Sequence, residues 1–194
     1  MKKILLCIDM QNDFINGTLS VDGAEKMVYN FEKFAEKTKL QEYDTIIVTQ
    51  DWHPYNHCSF LHCTNDNGKE GTFNRHCIMY SGGAALDDNV IKALFYDNIN
   101  DNVVILHKGT NSSKEEFSIF GNESSGKILA SLLLDVNQID ICGIADIFCV
   151  KETIKDLIIW GHKDNINVLT DFIGYMGDKE LFIKWLNDND IQHS

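Results

Sequence analysis

Apolar runs of strand length recur along this chain with helix-patterned stretches between them, and that alternation restricts the fold more than any other feature. Lys3 to Ile8, Thr45 to Thr49, Val103 to His107, Ile139 to Gly143 and Ile166 to Leu169 read as strands. They are short, mostly rich in Ile, Val and Leu, and bounded by polar residues, as expected of strands covered on both faces. Gly23 to Lys39 shows helical spacing through Met27, Phe31 and Phe34. Asp88 to Tyr96, Lys127 to Leu134, Cys149 to Trp160 and Lys179 to Asn187 also read as helices. Strands separated by helices pair in parallel, because the helix supplies the crossover. The expectation is an α/β fold with three layers, αβα, around a mostly parallel central sheet. The 194 residues suit a single domain, 1–194, and no linker or repeat divides them.

Parallel strands place their carboxyl ends on one edge, where α/β proteins carry their chemistry. Asp9, Asp51, Lys108 and the turn from Ala145 to Cys149 all fall there. Cys149 opens an expected helix, whose free N–H groups and positive dipole end favour a thiolate. Amides of the preceding turn are suited to an oxyanion hole. Asp9 is a candidate base, and Lys108 would hold it ionised and favour an anionic thiol. Each residue also has an ordinary reading: a structural cysteine, a turn aspartate, a solvated lysine. Their convergence on one edge is what raises the joint case.

A second group lies in the long irregular stretch from Trp52 to Gly83, and loops of that length are usually functional. Asp51 and His53 alternate at a strand end and so point to one side. His57 follows one short turn later, and His76 returns from the far end of the loop. One carboxylate with two or three imidazoles suits a divalent transition metal such as zinc, iron or manganese. The competing reading is a polar loop whose histidines are solvated.

Composition excludes other classes. A net charge of −12 disfavours nucleic acid and anionic membranes, both of which call for a basic surface. The apolar start, Met1 to Ile8, stops at Asp9, too short for a signal peptide, and no run approaches the roughly 20 residues of a membrane span. A cytoplasmic location is the default expectation, and a homo-oligomer remains open. The six cysteines are expected to be free thiols, one of them reactive, since a chain of this size needs no disulfide framework.

Taken together, these segments resemble the nicotinamidase (pyrazinamidase) family within the isochorismatase-like cysteine hydrolases. The likeness runs from Lys3 to about Asp171. It is carried by Asp9-Met10-Gln11-Asn12-Asp13-Phe14 with Gly17, Leu19, Val21, Gly23 and Ala24, and by Val48-Thr49-Gln50-Asp51-Trp52-His53-Pro54 with His57, Ser59 and Phe60. His76-Cys77, Lys108-Gly109, Cys142-Gly143-Ile144-Ala145 and Cys149-Val150 complete it. The resemblance implies an isochorismatase-like fold of Rossmann-like topology. It implies a catalytic set of Asp9, Lys108 and Cys149, with the amides of Ala145 and Cys149 as oxyanion hole and a cis peptide at Ile144–Ala145. Asp51, His53 and His76 are the implied metal ligands, zinc being the first choice, while the role of His57 differs among relatives. Phe14 and Phe73 would flank the substrate ring.

The implied reaction is hydrolysis of nicotinamide to nicotinate and ammonia through a thioester, with pyrazinamide also accepted, in pyridine nucleotide salvage. Two departures stand out. Phe73-Asn74-Arg75 replaces the usual Trp-Pro before the His-Cys pair, which bears on the pocket wall and on charge preference. Ala145-Asp146-Ile147 replaces the usual Ala-Thr-Asp before the nucleophile. The alternatives are a metal-independent isochorismatase-like amidase and a non-catalytic metabolite-binding protein. The intact Asp9, Lys108 and Cys149 argue against the latter.

Overall fold

The computed structural model describes residues 1–36, 39–96 and 102–194. Its strands are β1 (Lys2–Ile8), β2 (Thr45–Asp51), β3 (Val103–Lys108), β4 (Val136–Ile144), β5 (Ile166–Gly174) and β6 (Gln192–His193). They form one sheet in the order β3-β2-β1-β4-β5-β6, with all five pairings parallel. The order reverses between β1 and β4, which opens a crevice at their carboxyl ends.

Alternating side chains of the central strands feed two cores, one on each face of the sheet. Leu5 and Cys7 of β1, Ile46 and Val48 of β2, and Cys142 and Ile144 of β4 face one way. They pack against Met27, Val28 and Phe31 of α2 (Ala24–Glu36, after a short α1 at Asn12–Ile15) and Val90 of α3 (Asp88–Ile91). Ile4, Leu6 and Ile8 of β1 and Ile139 and Ile141 of β4 face the other way. There they meet Leu129 of α4 (Glu123–Leu132), Ile154 and Leu157 of α5 (Lys151–Ile159), and Phe182 and Leu186 of α6 (Lys179–Asp188). The result is the three-layer αβα arrangement expected from the sequence. Among the described residues, no helix is long and apolar enough to cross a membrane.

The differences from the sequence reading lie at element ends. The helix expected over Gly23 to Lys39 is seen as α2; residues 37 and 38 of that expectation lie outside the described residues. The helix expected over Asp88 to Tyr96 has one α-helical turn and then widens to a π-helix at Lys92–Tyr96. α4 starts earlier than expected because Asn122 caps it, its side-chain oxygen accepting from the Ser125 N–H at 3.1 Å. β5 continues past Leu169: Ile141 pairs with Val168, but Gly143 pairs with Ile173. The residues between them bulge out of register, and the apolar pattern breaks at Thr170 and Asp171 where they do so.

Candidate active site

Three adjacent strands deliver the first group of side chains. Asp9 follows β1 with φ +51°, a conformation rare outside glycine, and is fully buried. Its Oδ1 accepts from the Thr49 hydroxyl at 2.7 Å, and its Oδ2 lies 2.8 Å from the Lys108 ammonium. Lys108 closes β3 and reaches across the end of β2 while 1% exposed. Its Nζ meets Asp9, the Oδ1 of Asp51, and the Cys149 sulfur at 3.3 Å. Burial works against this ammonium, but the Asp51 and Asp9 carboxylates outweigh it and hold Lys108 charged, well above its ordinary pKa.

Cys149 lies in a π-helical turn, Asp146–Val150, that precedes α5 and kinks at Phe148. The Ala145 carbonyl accepts from the N–H groups of Phe148 at 3.2 Å and Val150 at 3.1 Å, so the turn folds back on itself. The Ile144–Ala145 peptide is cis. The helix-start position and the Lys108 ammonium favour a thiolate, and burial opposes it. Burial pushes the thiol well above its usual pKa, with Lys108 opposing and Asp9 and Asp51 adding to the rise. Burial likewise raises Asp9, against the pull of Lys108. Acceptor oxygens of Asp9 and Asp51 and the Cys149 sulfur all lie within 4.8 Å of one another.

Asp51 joins this group to the histidines. It ends β2, and Gln11 clasps its backbone from both sides: Asp51 N–H donates to Gln11 Oε1 and Gln11 Nε2 donates to the Asp51 carbonyl, each at 2.8 Å. While Oδ1 meets Lys108, Oδ2 stands 3.5 Å from His53 Nε2. Burial opposes its charge, yet Lys108 and His53 keep it far below the usual carboxylate range. Ligand-capable atoms of Asp51, His53 and His76 cluster within 4.8 Å, and all three residues are buried. His53 Nδ1 bonds the Gly109 carbonyl at 3.0 Å and His76 Nδ1 bonds the Asn74 carbonyl at 2.7 Å. A carbonyl only accepts, so both rings carry a proton on Nδ1, which leaves Nε2 as the nitrogen available to a ligand.

His57 is not brought into that cluster. Its ring stacks on His53 with centroids 4.0 Å apart, but Nδ1 lies 2.7 Å from the Ser59 hydroxyl and Nε2 lies 3.1 Å from the Lys114 carbonyl. Both nitrogens are engaged with the protein.

The thiol lines a small, partly open pocket. Phe14 and Phe73, both anticipated, line it together with His76, Asp51 and Ala145. Sequence reading missed Leu19, Glu115, Phe117, Phe148 and Met176, which complete the wall. Phe148 was the most accessible of these, since it directly precedes the nucleophile candidate. Phe117 and Glu115 belong to the polar stretch after Gly109. Burial first, then the Asp51 charge, pushes the Glu115 carboxyl up. Arg75 does not reach this pocket; its guanidinium lies over the Tyr55 ring, 4.6 Å from the centroid. The six cysteines are free.

Fold and site define a class: a parallel α/β protein that gathers a thiol, an ammonium and two carboxylates at the sheet's carboxyl edge, beside an aromatic slot. The isochorismatase domain matches residues 3–171, and the chain belongs to the isochorismatase family. Within that family it is similar to the nicotinamidase of Escherichia coli, 30% identical over 183 residues that cover 87% of this chain and 81% of that protein. Its structure resembles the pyrazinamidase of Pyrococcus horikoshii in complex with zinc (TM-score 0.78, 28% identity, covering 100% of this chain and 99% of that one). It also resembles PnC1 of L. infantum in complex with nicotinate (TM-score 0.77, 26% identity, covering 100% and 92%).

Proposed function

We propose that this chain, acting as one catalytic domain, hydrolyses nicotinamide to nicotinate and ammonia, and pyrazinamide by the same route. The observation that carries the reading is the double engagement of Asp51. One carboxylate touches both the ammonium beside the Cys149 sulfur and the imidazole of the His53–His76 pair. A small aromatic amide in the pocket therefore has a nucleophile at its carboxamide and ligand-capable residues at its ring. The similarity to nicotinamidases and to a nicotinate-bound structure supports that choice of substrate.

In the proposed mechanism Asp9 accepts the Cys149 thiol proton as sulfur attacks the carboxamide carbon. Lys108 offsets the negative charge shared by the two groups, and the Ala145 and Cys149 N–H groups hold the oxyanion. The carbon–nitrogen bond then breaks, and Asp9 returns its proton to the departing nitrogen, which leaves as ammonia. A thioester remains. Asp9 next takes a proton from water as the water oxygen attacks the thioester carbon, and the carbon–sulfur bond breaks to release nicotinate and restore the thiol. Phe14, Phe73 and Phe148 flank the ring and hold its carbonyl carbon near sulfur, a positioning effect.

Asp51, His53 and His76 fit a divalent transition metal, with zinc favoured and iron or manganese as alternatives. The donor set is one carboxylate and two imidazoles whose Nε2 atoms are freed by Nδ1–carbonyl bonds. When bound, such an ion supplies a Lewis-acid anchor for the ring nitrogen. We propose further that the activity serves pyridine nucleotide salvage in the cytoplasm.

The direct test is ammonia release from nicotinamide by purified, zinc-loaded protein, with pyrazinamide in parallel. Activity on neither, with zinc bound, would remove this reading. The ligand assignment has its own test in Gly109. This residue has φ +66°, and a Cβ there would sit 2.3 Å from the His53 ring. Gly109→Ala should displace the imidazole and weaken zinc affinity by about tenfold or more, as expected when a ligand loses its supporting contact. Unchanged zinc affinity by competition titration would remove His53 from the ligand set.

A further inference from the structure

Asp146 is a buried acid in the nucleophile turn that the proposed mechanism does not use. It stands with Ile147 where that turn departs from the family pattern, and it is 0% exposed. Its Oδ1 accepts two backbone N–H groups, from Met176 at 2.7 Å and Gly177 at 3.1 Å. These lie in the loop between β5 and α6, and Met176 forms part of the pocket wall. Its Oδ2 is buried and, among the described residues, has no hydrogen-bond partner. The loop packs hard against the turn: a Cβ at Gly177 would lie 2.6 Å from Ile147 Cγ2 and 3.1 Å from Asp146 Oδ2.

We infer that Asp146 is a positioning residue that fixes the Met176 wall over the substrate slot, and so sets affinity for a flat, single-ring carboxamide. The inference rests on the proposed hydrolysis for its substrate. The carboxylate fastens two parts of the chain that are far apart in sequence, the turn carrying Cys149 and the loop closing the pocket. Its grip uses a single oxygen. An amide oxygen accepts the same two bonds, and the unpartnered amide nitrogen in place of Oδ2 costs stability without releasing them. Asparagine should therefore do the work of aspartate here, and alanine should not.

The test compares the parent with Asp146→Ala and Asp146→Asn by two readouts. One is steady-state hydrolysis of nicotinamide, and the other is amide hydrogen exchange at Met176 and Gly177 in substrate-free protein. Asp146→Ala should raise KM about tenfold and leave kcat within about threefold, the loss expected when buried hydrogen bonds that touch only the wall are removed. Exchange at the two amides should quicken, and Asp146→Asn should restore both readouts. Wild-type exchange in Asp146→Ala would overturn the inference. So would a fall in kcat at constant KM, or an Asn variant that behaves as Ala does. If the parent releases no ammonia from nicotinamide, the functional reading fails by itself, and the exchange comparison still decides whether Asp146 holds the wall.

Discussion

Replacing Cys149 with alanine should lower nicotinamide turnover by about 10⁴-fold or more, the scale seen when a covalent nucleophile is removed. Binding of nicotinamide should change little. Cys149 is 6% exposed and contributes one edge of a pocket that is also lined by Phe14, Phe73, Phe117 and Phe148, so its loss leaves ring contacts intact. Asp9 and Lys108 remain paired with each other and with Asp51, which keeps the site folded. Calorimetric titration of the variant with nicotinamide, beside an ammonia assay, separates the two effects. Ammonia release near the parent rate would exclude a thioester path. Loss of binding together with turnover would show that the sulfur mainly shapes the pocket.

Replacing Lys108 with methionine should cost about 3–5 kcal/mol of stability as well as activity, because breaking a buried ion pair from one side leaves uncompensated charge. Here one cation faces two carboxylates, and all three residues are at most 5% exposed. Methionine preserves the stem's packing and removes the charge. Without the ammonium, the buried acids would rather bind protons, so their folded pKa values rise above the unfolded value of about 4. A group raised in this way contributes stability at low pH and loses it as pH climbs. The deficit against the parent should thus be small near pH 4 and widen toward neutrality. Urea denaturation of metal-free protein at several pH values measures it. A deficit below about 1 kcal/mol at pH 7, or one independent of pH, would mean that the ammonium does not neutralise Asp9 and Asp51.

Much of this architecture was legible from local pattern. Ile4 to Ile8 of β1 and Ile46 to Val48 of β2 are covered on both faces and are apolar without interruption, whereas Asp140 interrupts β4 and Ile105 of the edge strand β3 is exposed; the polar residues that follow the runs of β1, β2 and β3 mark the sheet's edge. That is why Asp9, Asp51 and Lys108 could be placed on one edge before any coordinates were known. What escaped depends on contacts distant in sequence. β6 has two residues and exists only because β5 offers it an edge. The π-helical segments have the composition of ordinary helices, and only the backbone reveals their extra width. Met176 and Glu115 carry no motif; they reach the pocket from the loops that follow β5 and β3, strands that stand on opposite sides of the crevice between β1 and β4. The environment of His57 is likewise tertiary, fixed by a carbonyl at Lys114 that its own loop does not encode. The surroundings of Cys149 follow the same rule: helix position is visible in the sequence, but the burial that opposes a thiolate is not.

Asp51 gives one oxygen to an ammonium and turns the other toward an imidazole. Such a shared anion makes the two halves of the site rivals for a single charge. Whatever draws its electron density toward the histidines loosens the hold on Lys108 and frees that cation to lean on Asp9 and sulfur. By reciprocity, a stronger embrace with lysine diminishes what the histidine side can offer an incoming ion. Occupancy at one end and nucleophile poise at the other would then rise and fall as a linked pair, so reworking either in isolation would disturb both.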